Sequence, residues 1–454
     1  MFPNIRKKMP ARLSPQAMLA LSFLVLIVLG SILLSLPVSI KGDHVSYIDA
    51  LFTATSATCV TGLIVVDTGG FWSPFGQAVI LVLIQLGGLG IMTFTSFVIL
   101  LFARRLGIWD RELLVQSFTG EAKQSIGRLL WSIILLTMTF EMVGATVLAS
   151  RFAQDYPLSE AIYLGIFHAI SAFCNAGFSL FQTSLIRYQS DLFVNITIML
   201  LIICGGIGFW VLFDFNIFNF KKKKQPSLHT RLVLYVTLLL LAFGFLLFLL
   251  TEWRSSLAHM PIGEKILAAL FQSVTARTAG FNTVDITTLM NSSLFLLIIL
   301  MIIGASPGSC GGGIKTTTFA IIVAMIAAKT KNRRQVQMLK RGVPDDTVSK
   351  AIGITASAIV IIGVISFLLL LTETSSHPRI HQRTLFIQVV FEAVSAFGTV
   401  GLSMGITPLL SLPGKMFIIL LMYIGRLGPI TLTLALSGMQ TKNIRYAEDN
   451  IWVG

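Results

Sequence analysis

The sequence predicts an all-α integral membrane protein of four tandem helix–loop–helix repeats, with eight transmembrane spans plus four re-entrant half-helices in a pseudo-fourfold arrangement. Three observations predict it. Long apolar runs carry no charge, one short glycine-ended segment occurs four times, and basic residues collect in the stretches between the resulting units.

The apolar runs come first. Only 12% of the 454 residues are charged and 55% are hydrophobic, with a mean hydropathy of +0.84; soluble domains carry about 25% charged residues. Residues 17–36, 232–250 and 353–371 are uncharged, and a helix needs about 20 such residues to cross the hydrocarbon layer. The first run follows a basic start, as in a signal peptide. It is longer than such a peptide's apolar stretch and lacks a convincing small-residue cleavage site, so it reads as a retained span.

The charges give the orientation. The formal net charge of +14 suggests nucleic acid, but 23 of the 34 Lys and Arg fall in segments 1–16, 104–128, 221–231, 329–350 and 439–454. Basic loops stay cytoplasmic, which puts both termini inside and explains the run Lys221 to Lys224 without nucleic acid. The four cysteines (Cys59, Cys174, Cys204, Cys310) show no pairing pattern or metal spacing and read as buried thiols.

The repeat defines the architecture. FTATSATCVTGL (52–63), FHAISAFCNAGF (167–178), FQSVTARTAGF (271–281) and FEAVSAFGTVGL (391–402) each begin with Phe, pass Ser or Thr, and end in Gly before Leu or Phe. Gly62, Gly177, Gly280 and Gly401 are 115, 103 and 121 residues apart; the third copy is one residue shorter and alone carries an arginine, Arg277. A long span precedes each motif (about 17–37, 128–150, 229–251 and 347–371) and another follows (about 75–103, 192–219, 292–328 and 413–438). Between them lies an amphipathic stretch of about ten residues, too short to cross at 1.5 Å per residue. Each unit thus reads helix–pore loop–helix. The divisions are a cytoplasmic N-terminus 1–16; repeat 1, 17–103; linker and repeat 2, 104–219; linker and repeat 3, 220–328; linker and repeat 4, 329–438; and a cytoplasmic C-terminus 439–454.

Non-helical backbone inside a bilayer survives only against protein or a watery cavity. Four glycine-ended strands on one axis satisfy that rule, because their carbonyls can replace an ion's hydration shell. Glycine lets the strand adopt angles that a side chain opposes. Candidate filter positions are therefore Val60, Thr61 and Gly62; Asn175, Ala176 and Gly177; Thr278, Ala279 and Gly280; and Thr399, Val400 and Gly401.

SATCVTGL, SAFCNAGF, VTARTAGFN and SAFGTVGLSMG resemble the four pore loops of the Trk/Ktr/HKT potassium transporter superfamily. QLGGLGIMTF, CGGIGFWVLFD, GGGIKTTTF and IGRLGPITL resemble its inner helices. The likeness covers nearly the whole chain and is nearest to the bacterial Ktr membrane subunit. In that family one glycine per loop marks the filter, so four glycines imply potassium selectivity. The resemblance further implies potassium as the transported ion, sodium as a candidate activator, and a homodimer with one pore per chain. It also implies a cytosolic nucleotide-binding regulatory ring and a multi-pass place in the bacterial plasma membrane. The basic linkers and the tail TKNIRYAEDNIWVG are plausible contact surfaces for that ring.

The second span of repeat 3 contains Gly304, Pro307, Gly308, Gly311, Gly312 and Gly313. Glycine costs about 1 kcal/mol in a helix and proline about 3, so an unwound intramembrane loop is expected. In the family such a loop lies below the filter as a gate; a static kink is the alternative. Arg426 sits in an apolar span, where an arginine faces the interior or a pathway. The resemblance makes it a positive barrier; a salt bridge to Glu392 or Glu141 is the other reading. Lys315 snorkels, caps the interrupted helix or joins the gate. Asp49, Glu160 and Glu264 lie where half-helices begin and suit the helix dipole; Asp67 and Asp285 also border the pore segments. His168, Gln272 and Glu392 read as hydrogen-bonding positions behind the filter.

No enzyme is expected. GASPGSCGGGIKT lacks phosphate-loop spacing and lies in an apolar span. Two other classes compete with a pore. One is an alternating-access carrier, which inverted repeats normally betray; the other is the membrane anchor of an enzyme complex. A sodium-permeable member of the same superfamily is a further alternative.

Overall fold

The computed structural model describes residues 15–42, 44–103, 126–214, 226–376, 382–429 and 431. The Lys221 to Lys224 run and the C-terminal tail lie outside the described residues.

Unit one comprises α1 (Pro15–Leu34), the half-helix α2 (Tyr47–Thr58), the single turn α3 (Thr68–Phe71) and the long helix α4 (Pro74–Ala103). Unit two has α5 (Ile126–Phe152), the half-helix α6 (Leu158–Phe173), α7 (Leu192–Gly206) and α8 (Phe209–Asp214). Unit three has α9 (Leu228–Glu252), the half-helix α10 (Ile262–Thr275), α11 (Asn291–Ile302) and α12 (Thr316–Thr330). Unit four has α13 (Asp345–Ser376), the half-helix α14 (Gln382–Gly398) and α15 (Leu412–Leu427).

The first helix of every unit is long and apolar enough to cross a membrane. Their outer faces stay apolar where they are exposed, as with Leu246 and Leu250 on α9 and Val364, Phe367 and Leu371 on α13. In water such stripes would be a liability; in lipid they are the expected solvent face.

Three buried clusters join the units in order. Leu34, Trp72 and Ile84 of unit one pack with Phe167 and Phe178 of unit two. Phe152 and Phe173 of unit two pack with Phe271 and Phe281 of unit three. Phe248 and Leu300 of unit three pack with Phe391 and Leu421 of unit four, and the same cluster returns to Ile27, Phe52 and Leu63 of unit one. Apolar packing therefore closes a circle.

Polar clasps tie the end of each later unit's first helix to the start of its inner helix. Arg151 pairs with Asp191, which caps α7 by accepting from the Val194 amide at 3.0 Å. Glu252 accepts from the Met290 amide at 2.9 Å and the Ser256 hydroxyl at 2.9 Å. Glu373 accepts from the Ser411 hydroxyl at 2.5 Å. Because Glu252 is fully buried, truncating it removes the shared acceptor of these part-buried bonds, each worth about 1.5–3 kcal/mol when the acceptor is charged. Glu252→Ala should therefore lower the unfolding temperature of the purified protein, with Glu252→Gln retaining part of the loss; thermal unfolding in detergent measures it.

The structure corrects four details of the sequence reading. The half-helices span 12, 16, 14 and 17 residues, not about ten, because their first turns begin in the polar loops. The inner helix of unit two is broken at Ile207–Gly208, where Gly208 has φ +93°. The inner helix of unit four is interrupted after Leu427 by Gly428 at φ +87°, with Pro429 helical again. Finally, the 329–350 linker holds a small hairpin, β1 (Gln337–Met338) against β2 (Arg341–Gly342), the one sheet among the described residues.

Candidate functional site

Each half-helix ends by turning its chain through the same backbone pattern. Val60, Asn175, Thr278 and Thr399 stand two residues before the four glycines, and all have positive φ, between +49° and +68°. The glycines follow at φ +89°, +69°, +82° and +93°, while Thr61, Ala176, Ala279 and Val400 between them are not left-handed. L-residues oppose that region by about 1–2 kcal/mol, so the surroundings must hold it.

The Ser or Thr of each motif does part of the holding. Ser56 and Ser395 hydroxyls accept from the Gly62 and Gly401 amides at 3.1 and 3.0 Å. Ser171 and Thr275 hydroxyls donate instead to the carbonyls of Phe178 and Phe281, at 2.8 and 2.5 Å. The Thr61, Ala176 and Val400 amides reach back five residues, to Ser56, Ser171 and Ser395 carbonyls, whereas Ala279 reaches back four, to Thr275. The missing residue of the third copy is thus absorbed by a tighter turn, and its glycine keeps its place.

The glycines form a closed ring. A Cβ on Gly62 would collide with the Ala176 carbonyl oxygen, one on Gly177 would lie 2.7 Å from that of Ala279, one on Gly280 would meet that of Val400, and one on Gly401 that of Thr61. Each such Cβ would also come within 3.0–3.1 Å of the next glycine's Cα. The order runs through units one, two, three and four and back to one, so the four loops share a centre. No side chain fits between neighbours, and the four penultimate carbonyls face that closed circle.

The interrupted segment of unit three lies against this ring. Helix stops at Ile302 and resumes at Thr316. The Gly312 amide donates to the Thr399 hydroxyl at 3.0 Å, and a Cβ on Gly311 would strike the Thr278 hydroxyl. The segment closes on itself through the Gly304 amide, which donates to the Ile314 carbonyl at 2.8 Å. It is moored to unit two, where Ser306 and Cys310 amides donate to Gly206 and Gly205 carbonyls at 3.0 and 3.1 Å. Pro307 and Gly308 fit the break at Gly208: the Phe209 amide donates to the Gly308 carbonyl at 2.9 Å, and a Cβ on Gly208 would lie 2.6 Å from the Pro307 oxygen. Gly308 and Gly313 are left-handed, at φ +71° and +66°. Lys315 occupies the N-cap of α12 and donates to the Gly311 carbonyl at 2.7 Å.

Arg426 closes the layer. It is 2% exposed and donates to the Cys310 carbonyl of the interrupted segment and to the Gly87 and Gly88 carbonyls of α4. The alternative reading, a bridge to Glu392 or Glu141, is not made. Those carboxylates have other partners: Ser403 and Thr407 for Glu392, Gln85 for Glu141. The guanidinium thus joins units one, three and four through backbone oxygens, and it also lies over the Phe23 ring of unit one at 5.9 Å.

Other polar positions sort as follows. Asp49, Glu160 and Glu264 lie in the first turns of α2, α6 and α10, and Asp49 also pairs with Lys415 at 2.7 Å. Asp67 and Asp285 cap short turns through the Gly70 and Thr287 amides. His168 bonds the Leu164 carbonyl and Ser179. Gln272 is buried, yet neither amide atom finds a partner, so it differs from the expected hydrogen-bonding role. Sequence reasoning missed Gly87, Gly205 and Gly425. A Cβ on any of them would collide with the Thr58, Phe173 or Phe397 carbonyl at the end of a half-helix; the recurring GG and IG of the inner helices is the signal that could have found them.

A family profile described as TrkH, cation transport protein, matches residues 6–446. The chain is 39% identical to Ktr system potassium uptake protein B of Bacillus subtilis, over 98% of this chain and 97% of that one. It is 36% identical to the potassium/sodium uptake protein NtpJ of Enterococcus hirae, covering 99% of each. The crystal structure of the potassium transporter TrkH from Vibrio parahaemolyticus superposes with a TM-score of 0.74, at 19% identity over 96% of this chain and 87% of that one; this likeness concerns the fold.

Proposed function

We infer from one premise, that this chain belongs to the TrkH family of cation transport proteins, that it takes up potassium across a bacterial plasma membrane. The family is one of membrane transporters, not of enzymes. In this reading four helix–pore loop–helix repeats, eight crossings with both termini cytoplasmic, surround one pathway. The loops ending at Gly62, Gly177, Gly280 and Gly401 form its filter. The observation that carries the reading is the closed glycine ring, whose members approach too tightly for any side chain. Such a ring leaves main-chain oxygens as the ligands available to a dehydrated cation, the chemistry of a potassium filter.

The segment 303–315, with Lys315 and Arg426, acts as the gate. Its contacts with Thr278, Thr399 and α4 support that role. In the same reading two copies associate and a cytosolic nucleotide-binding ring regulates them, as expected for a close relative of a Ktr system protein. Sodium is a second candidate, as activator or cargo, since one relative of similar identity is a potassium/sodium uptake protein.

Rubidium uptake into liposomes holding the purified protein tests the proposal. Potassium should compete strongly and sodium weakly. Equal competition by both ions would replace potassium selectivity with general cation permeation, and no uptake by folded protein would remove the pore.

A further inference from the structure

Arg277 occurs in the third loop alone, three residues before Gly280, and the glycine ring does not use it. It is 8% exposed, and its Nε is sealed from solvent without a partner. Among the described residues no hydrogen bond or ion pair engages the guanidinium. The contrast with its peers is sharp, since Arg426 holds three carbonyls and Arg151 two carboxylates. A buried charge without a counter-charge is costly. The C-terminus of α10 lies just before Arg277 and offsets part of that cost, but none of its carbonyls accepts from the guanidinium.

The side chain lines a cavity of about 20 Å³ between units two and three. Thr237 of α9 also lines it, and the Thr237 hydroxyl is likewise buried and unpartnered. The remaining wall is apolar, with Ile203, Ile207, Leu241 and Ala305. The polar side chains facing this space are thus a guanidinium and a hydroxyl, with no carboxylate among them. The volume suits one particle of about water size. We propose that the cavity is a binding site for a monatomic anion of the chloride type, held by Arg277 and Thr237 behind the ring. The anion would neutralise the guanidinium where the broken inner helix at Ile207 meets the unit-three segment at Ala305.

The experiment uses the full chain and does not involve transport, so its outcome is separate from the potassium reading. Crystals soaked in sodium bromide should show an anomalous peak in contact with Arg277, lost in Arg277→Gln. Replacing gluconate by chloride at constant ionic strength should raise the unfolding temperature by about 3 °C, and Arg277→Gln should abolish that rise. Should that variant not fold, Thr237→Val retains the charge and should shift the chloride midpoint about tenfold, the loss of one hydrogen bond to an ion. A wild-type cavity holding water without anomalous signal, or a lipid phosphate against Arg277, would overturn the site; so would chloride stabilisation that survives in Arg277→Gln.

Discussion

Gly280→Ala is expected to cut potassium-competed rubidium uptake by at least about tenfold while the protein still folds. Two effects combine. The residue sits at φ +82°, where a methyl group is strained, and that methyl would collide with the Val400 carbonyl oxygen and approach the Gly401 Cα to 3.1 Å. The collision cannot be relieved outward, because each neighbour is backed by the next around the circle. Gly62→Ala, Gly177→Ala and Gly401→Ala should behave alike, with weakened discrimination against sodium in whatever flux remains. Gly263→Ala is the matched control, since a Cβ there meets nothing within 4 Å. Uptake preserved in all four variants would exclude the ring from the ion pathway.

Deleting residues 306–312 should raise unregulated flux, on the order of tenfold. The deletion removes the atoms that contact the Thr399 and Thr278 hydroxyls and the Cys310 carbonyl that Arg426 grips. Arg426→Gln should raise flux by a related route. A unit charge at about 4 Å opposes a cation by about 4 kcal/mol at an effective dielectric of 20, ample to limit passage. The substitution should also lower the unfolding temperature, because the guanidinium joins three units. Liposome flux at equal protein incorporation decides it: unchanged flux in the deletion would leave the segment a static kink. If Arg426→Gln loses stability with no gain in flux, Arg426 is only a structural tie.

The parts legible in the sequence are those written locally. The Phe-to-Gly motif could be read because each copy carries its own turn, and the Ser or Thr within it proves to be the residue that fastens the glycine strand. The break over 303–315 was legible because six glycines and prolines there exceed what a helix tolerates. The break at Gly208 was not: Gly205 and Gly206 just before it stay helical, so glycine alone does not mark the position, and the interruption is stabilised by Pro307 and Gly308, a hundred residues away. The destination of Arg426 was also hidden. Sequence reasoning looks for a carboxylate, whereas the acceptors are main-chain oxygens. The hairpin at Gln337–Met338 escaped because strands of two residues have no hydrophobic period to detect.

The circle of glycines is assembled from four dissimilar stretches of one polypeptide, and that has an evolutionary consequence. Where identical subunits make such a circle, any codon change is imposed on every wall at once. Here a mutation alters a single quadrant, so chemistry can drift in steps of one in four. The shortened third stretch with its lone arginine is a divergence of that kind, carried by one quadrant while the other three keep the longer form.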